Sequence, residues 1–432
     1  MKTLFKNCDV LLRDGDAFTV QKNTYLGIDN DRIDYIGTEL PKSDYDYIKD
    51  MTDKLVMPGL INCHNHCPMV LLRGIGSDLP LDKWLFGTVF PIEDKLNAEI
   101  ISAGSYLAIM EMIRGGTVSF SDMYFEPQTT IEAVGKAGMR ANITRPVQSF
   151  DPNEMPADSY RIRESIDLFE KYNNAFDERV KVDFCIHAEY TVTERIAKAY
   201  IDMCNERNGR LHIHVSETAK EHRDCIEKYG KTPTQWFNDM GAFDSPAFLA
   251  HCVHVDDSDL EIFREKNVSV VHNPTSNMKL GSGFARIPKM IDMGINVALG
   301  TDGAASNNNL NMFEEMHISS LISNGYLMDA TVMNADTVIK MATLNGAKLQ
   351  GRHDCGEIRV GNKADIIAIN LDAPHLYPAL DEKALITYSA QASDVCMTMV
   401  DGKVLYENGE YKTIDTEKVY YDVKKSVDVL YN

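Results

Sequence analysis

Between Leu55 and Gly351, short strand-like apolar runs alternate eight times with segments of helical length. The runs are Val56–His64, Thr117–Asp122, Arg140–Thr144, Val182–His187, Leu211–Val215, Phe248–His251, Ser269–His272 and Asn296–Thr301. Such alternation builds parallel strands with helices packed on them. Eight repeats over roughly 300 residues predict an α/β fold of the closed (β/α)8 TIM-barrel kind rather than an open sheet.

The flanks have a different texture. Residues 1–54 carry short β-like runs (Leu4–Leu12, Ala17–Leu26, Arg32–Gly37) and no long helical period. After Gly351 the same texture returns, in Ala364–Asn370, Asp394–Val400 and Lys403–Tyr406, with an Asp401-Gly402 turn between the last two. Both ends are therefore expected to join in one small discontinuous β domain. Its N-terminal part is 1–54, the barrel is 55–352, and 353–432 supplies the C-terminal part and a tail. Apolar residues at helical spacing predict a helix over Glu417–Asn432.

The chain has 432 residues, 44% of them apolar, which is ample for a large core. Its 44 Lys and Arg against 64 Asp and Glu leave a net charge of −20. That argues against nucleic acid or an anionic membrane as partner and leaves a small molecule. No apolar run approaches the ~18 residues of a membrane span. The N-terminal MKTLFKNCDVLLRDGD lacks the apolar core and cleavage site of a signal peptide. Nine cysteines without regular spacing fit a reducing compartment, so a cytoplasmic protein is expected.

Barrel enzymes carry their chemistry at the C-terminal ends of the strands. Six of the 12 histidines stand there: His64, His66, His187, His214, His251 and His272. Strand eight ends in Asp302, and Glu217 follows His214 by three residues. A single histidine in such a place is as readily a core or capping residue. The joint pattern is not readily so explained.

A strand turns alternate side chains to one face, so His64 and His66 point the same way and form half of a metal site. His214 and Asp302 complete a set of three or four N/O ligands. Such a set suits one divalent ion per subunit, Zn2+ first and Fe2+ or Mn2+ also. Strand four ends in His187, not in a lysine that could bridge a second ion, and Lys181 lies at the wrong mouth. Cys63 and Cys67 flank the histidines but face away, as small buried thiols.

A metal brings the pKa of its bound water toward neutrality. Asp302 is then the candidate proton acceptor. Glu217 is the candidate acid for a ring nitrogen, although it could instead be a helix N-terminal charge. His251 is read as orienting the attacking oxygen and stabilising charge, and His272 as structural.

These motifs resemble the amidohydrolase superfamily, and within it the 5′-methylthioadenosine/S-adenosylhomocysteine deaminase branch, over almost the full length. PGLIN-x-HNH is similar to the strand-one signature of that superfamily. HVSET (His214–Thr218) resembles its strand-five motif and LAHCVH its strand-six motif. HNPTSNMKLGSGFARIP and GTDGAASNNNLNMFEEM resemble strands seven and eight. GEIRVGNKADIIAIN resembles the return into the small domain, and it is this resemblance that implies a β-sandwich there. The loop LLRGIGSDLPLDKWLFGTVFPIEDKL resembles the branch's Trp-containing loop.

The resemblance implies that Glu93 binds ribose hydroxyls, that Arg145 faces the substrate and that His187 contacts the purine. It leaves open whether Arg161 or Arg163 also contacts substrate. It further implies self-association and the hydrolytic deamination of an adenine nucleoside to the hypoxanthine nucleoside and ammonia. The nucleoside would be 5′-methylthioadenosine, S-adenosylhomocysteine or adenosine. The alternatives are a guanine or oxidised-purine deaminase, a triazine chlorohydrolase and a non-catalytic scaffold. The flanking cysteines, Met123, Tyr124 and the loop Gln148–Tyr160 are where substrate choice could depart from the branch.

Overall fold

A computed structural model describes residues 1–79 and 81–431, with Leu81 and Asp82 described through their backbone alone. Asn432, the last residue of the expected tail helix, lies outside them. The chain opens with β1 (Lys2–Asp14), β2 (Ala17–Asp29), β3 (Arg32–Gly37), β4 (Tyr47–Asp50) and β5 (Lys54–Pro58). Ten strands follow, with helices between all but the pairs β8 and β9, and β10 and β11: β6 (Leu60–Asn65), β7 (Thr117–Met123), β8 (Arg140–Thr144), β9 (Pro146–Val147), β10 (Val180–Val182), β11 (Phe184–Ile186), β12 (Leu211–Val215), β13 (Ala247–His251), β14 (Ser269–His272) and β15 (Val297–Leu299). The chain closes with β16 (Ile366–Asn370), β17 (Val395–Val400), β18 (Lys403–Glu407) and β19 (Glu410–Tyr411).

The two ends share one sheet, ordered β19-β18-β17-β16-β5-β1-β2-β3, with β4 on β1. They meet at β5 and β16, which run antiparallel from Ile366 opposite Pro58 to Asn370 opposite Lys54. This sheet has its own apolar core, which includes Phe5, Val10, Leu26, Ile28, Ile366 and Met397.

The ten middle strands pair only in parallel, in the orders β10-β8-β7-β6 and β15-β14-β13-β12-β11-β9. Every residue of β6, β7, β8, β12 and β13 is buried. Burial on both faces goes with the apolar residues of these strands, and the polar ones among them, such as Asn62, Asp122, Arg140 and His212, are buried too. At the other end of the series the Asp302 amide donates to the His64 carbonyl at 2.9 Å, so the end of the last strand abuts the first.

Two expected strands are each divided. The run Val56–His64 breaks at Pro58-Gly59. Leu60 N donates to Gly116 O, in the parallel set, while Gly59 N donates to Asp365 O beside the outer sheet. A Cβ on Gly59 would stand 2.2 Å from Val118 Cγ1, so glycine is needed where the backbone changes sheets. The run Val182–His187 breaks at Asp183, whose carboxylate accepts from Asn142 Nδ2 at 2.7 Å. Thus β10 pairs with β8, while β11 pairs with β9 and β12.

A buried ion pair joins the two sheets. Arg140 on β8, 2% exposed, donates from Nε to Asp365 Oδ2 at 2.6 Å and also pairs with Asp401. The tail helix, Thr416–Tyr431, packs on the helix Ala98–Arg114, and Tyr431 Oη donates to the Leu71 carbonyl at 2.9 Å. No described helix is long and apolar enough to cross a membrane.

Candidate active site

His64 lies within β6, and His66 just beyond it opens a short helical turn, Cys67–Leu72. Each histidine of the predicted set has one ring nitrogen tied down. His66 Nδ1 bonds the Met123 carbonyl at 2.6 Å, and His214 Nδ1 bonds the His187 carbonyl at 2.8 Å. His64 Nδ1 stands 2.9 Å from His212 Nε2. A carbonyl only accepts, so Nδ1 of His66 and of His214 carries the hydrogen, and in the neutral ring Nε2 has the lone pair. One nitrogen each from His64, His66 and His214 lies within 4.8 Å of the others, and His64, His251 and Asp302 make a second such group.

Asp302 closes the cluster. Its Oδ1 is 3.3 Å from His64 Nε2 and 3.2 Å from His66 Nε2. Ligands about 2.0–2.1 Å from a tetrahedral zinc stand about 3.3 Å from one another, so these separations suit a shared ion. His64 Nε2 is buried and makes no hydrogen bond, as befits a lone pair reserved for a cation. The donor set therefore fits a divalent metal. Asp302 Oδ2 accepts from Ser276 Oγ at 2.6 Å and Ser306 Oγ at 2.7 Å, which fixes the carboxylate plane.

The backbone is forced at this mouth. Ser216, His251 and Asp302 have φ of 50°, 72° and 61°. Side chains other than glycine seldom adopt this region, and such conformations concentrate at functional sites.

Burial disfavours charge on most of these rings. It lowers His64 to about 4 and His187 to about 3, and it holds His214 well below the ordinary range. Neutral imidazole is the form that binds metal. His66 is buried too, but hydrogen bonding and attraction to Asp302 raise it to about 9. Burial also works against the Asp302 anion, yet His64 and His66 together hold its carboxyl well below the usual range.

Glu217, 8% exposed, puts Oε2 3.9 Å from His251 Nε2. Burial pushes its carboxyl up, against the pull of His251. His251 Nδ1 bonds Asn277 Oδ1 at 2.8 Å, which turns Nε2 toward the site. His66, His187, His214, Glu217, His251, Asp302 and Glu93 all line one cavity. Tyr124 Oη donates to Glu93 Oε1 at 2.6 Å, and burial raises the Glu93 carboxyl. Glu93 sits on the short helix Phe90–Glu93, and Trp84, Leu85, Val89 and Phe90 from the same segment wall the cavity.

Arg145 follows β8 but does not line this cavity. Its Nε donates to Glu164 Oε2 at 2.7 Å and its Nη1 to the Pro146 carbonyl at 3.0 Å. Arg161 lies over the Tyr160 ring at 4.6 Å, Arg163 donates to the Ala157 carbonyl, and neither lines the cavity. His272 ends β14 and faces a separate groove with Phe284 and Tyr326. Cys63 and Cys67 are buried thiols, both raised by burial.

Several residues that support the site were not singled out from the sequence. His212 bonds His64, Asn277 bonds His251, and Ser276 and Ser306 hold Asp302. His212 had a signal, since His212-Ile213-His214 is a second His-x-His on a strand. Its first ring falls on the same face as His214, one layer deeper.

The family model described as the amidohydrolase family matches residues 55–405. A 5-methylthioadenosine/S-adenosylhomocysteine deaminase of Acetivibrio thermocellus is 46% identical over 430 residues, 98% of each chain. A protein of the same name from Thermoanaerobacter pseudethanolicus is 44% identical over 98% of each chain. Among solved structures, an adenosine deaminase from Xanthomonas campestris with bound zinc superposes with a TM-score of 0.93 at 29% identity, covering 99% of this chain and 98% of that one. The family model covers residues 55–405, well over half of the chain: the chain belongs to the amidohydrolase family.

Proposed function

We propose that this chain is a metal-dependent deaminase of adenine nucleosides, converting 5′-methylthioadenosine, S-adenosylhomocysteine or adenosine to the hypoxanthine nucleoside and ammonia. One observation carries the reading: a single cavity joins a histidine–aspartate cluster with a buried glutamate beside it to a second carboxylate, Glu93. The first end suits hydrolysis, and the second suits the paired hydroxyls of a ribose. The names of the near-full-length relatives support the same substrates.

His64, His66, His214 and Asp302 are the residues that would hold the metal, with one Zn2+ per subunit as the ion of choice. Bound there, it supplies Lewis-acid activation of a water. The remaining steps belong to side chains. Asp302, held as an anion, takes one proton from the water whose oxygen attacks C6. Glu217, in the protonated form that burial favours, donates to ring N1, which makes C6 electrophilic. Asp302 returns its proton to the amino group, the C6–N bond breaks and ammonia leaves. The hydroxyl proton on C6 restores Glu217 as the carbonyl forms. His251, aligned by Asn277, steadies charge on the attacking oxygen.

His187 is the proposed contact to the purine and Glu93 to the ribose, with Tyr124 fixing the Glu93 carboxylate. Arg145, behind Phe125 and Pro146 and paired with Glu164, is the proposed substrate-facing cation at that wall. For the architecture we propose that β6 to β15 close as a (β/α)8 barrel over 55–352. Residues 1–54 and 353–432 would form a small discontinuous β-sandwich domain beside it. Self-association is part of the same reading.

A panel of adenine nucleosides, free adenine, guanine and a chlorotriazine, followed by absorbance and ammonia release, tests the reading. Turnover confined to the adenine nucleosides supports it. Faster turnover of guanine or the triazine would replace it with one of its superfamily alternatives.

A further inference from the structure

The turn after β12 is held by more hydrogen bonds than a helix cap needs. The chain leaves the strand through Ser216, whose φ of 50° bends it, and Thr218 then caps the helix Ala219–Tyr229. Thr218 Oγ1 accepts from the Glu221 amide at 3.1 Å, and Glu221 returns its carboxylate to the turn. Glu221 Oε1 accepts from the Ser216 amide at 2.7 Å. Its Oε2 accepts from the Glu217 amide at 2.8 Å and the Thr218 amide at 3.3 Å. The carboxylate is thus seated on three successive amides, and the residue is 8% exposed.

An ordinary capping box asks only for the last of these bonds. Two others in this chain show it: Gln235 accepts from the Thr232 amide at 3.1 Å, and Asp259 accepts from the Asp256 amide at 3.0 Å. At Glu221 the cap amide makes the longest of the three contacts. The two short ones reach back to Glu217 itself and to the residue before it. The turn is pinned from other sides too, since the His254 amide donates to the Ser216 carbonyl at 3.0 Å and His222 Nδ1 stands 3.0 Å from Ser216 Oγ. A carboxylate on converging amides is a strong, directional restraint. What it restrains is the backbone from which Glu217 reaches the cavity, while Glu221 is not itself among the lining residues.

We infer that Glu221 is a positioning residue for Glu217, holding the backbone of Ser216 and Glu217 so that the Glu217 carboxyl is already aimed when the substrate arrives. This rests on the acid role given to Glu217 in the deaminase reading above. An aim that is off by about 1 Å can cost on the order of 10²-fold in rate.

The test is Glu221→Asp in the zinc-loaded full chain. Asp259 shows that an aspartate at the same helix position still caps, so the variant keeps the box but is one methylene short of the two outer amides. Its kcat per bound zinc should fall by about 10–100-fold, with KM within about twofold of the parent's and one zinc still bound per chain. Added to Glu217→Gln, the substitution should cost nothing further, because the acid it aims is already gone. A parent-like kcat, a loss carried equally by KM or by zinc content, or a full additional loss in the double variant overturns the inference. Should denaturant unfolding show that Glu221→Asp folds poorly, Glu221→Gln carries the same expectations, since its NH2 group must face one of the three amide donors. Near-parent turnover by Glu217→Gln alone, or no turnover of any adenine nucleoside by the parent, overturns the deaminase reading first and the inference with it.

Discussion

His212 Nε2 lies 2.9 Å from His64 Nδ1, and that contact decides which nitrogen His64 presents to the cluster. His212 is wholly buried and stacked on Phe248 with ring centroids 4.1 Å apart, so it cannot swing away. A His64 that gives its Nε2 lone pair to a metal carries its hydrogen on Nδ1, where His212 Nε2 is placed to accept it. Partners of metal-binding histidines commonly tune affinity in this way.

His212→Ala should therefore weaken metal binding by about 10–100-fold without removing a ligand. Competition with a chromophoric chelator measures it. Unchanged affinity would mean that His64 needs no partner to hold its tautomer.

Glu217→Gln should keep the metal and lose deamination by ~10²-fold or more, since the amide cannot supply a proton to the ring. Metal content and turnover on the same preparation separate the two effects. Near-normal turnover would remove Glu217 from its role.

Burial raises the Glu217 carboxyl above the ~4.3 of an exposed glutamate. The donor must be protonated, so kcat/KM should fall as pH rises through that raised value. A pH–rate profile of the parent should show this limb, and the residual rate of Glu217→Gln should lack it. A limb that survives in the variant belongs to another group.

Arg140 bridges the two sheets through Asp365 and Asp401. Arg140→Leu leaves the buried Asp365 carboxylate without its cation, while Asp401 keeps Lys363 at 3.2 Å and Arg179 at 3.9 Å, and should cost about 3–5 kcal/mol, read by denaturant unfolding. Asp365 is held below its ordinary value, because Arg140 outweighs the opposing effect of burial. Its contribution is thus fully present above the unfolded value of ~3.9 and is lost as pH falls through the lower folded value. A stability profile of the variant that stays parallel to the parent's through that acid range would contradict the assignment.

Much of the site was legible because its chemistry recurs at strand ends. His64, His66, His214 and Asp302 could be picked out by asking what ends each run, and they converge in space. His212 was harder, since its role depends on depth within the strand layer rather than on position at the mouth. The break at Pro58-Gly59 was visible as punctuation, but not that β5 would pair with β16, some 310 residues later. Arg145 is the clearest limit. The sequence marks it as a strand-end guanidinium, but its partner Glu164 is on a helix, and only the packing of that helix brings the two together at 2.7 Å.

The central claim joins one metal to one reaction, and a single titration tests both. Chelator-stripped protein is given Zn2+ in steps while the adenine absorbance of 5′-methylthioadenosine is followed. Turnover should start near zero, climb in proportion to added zinc and break at one equivalent per chain, with ammonia released in step. Full turnover before any zinc is added, a break at two equivalents, or no loss of adenine at any loading would contradict it.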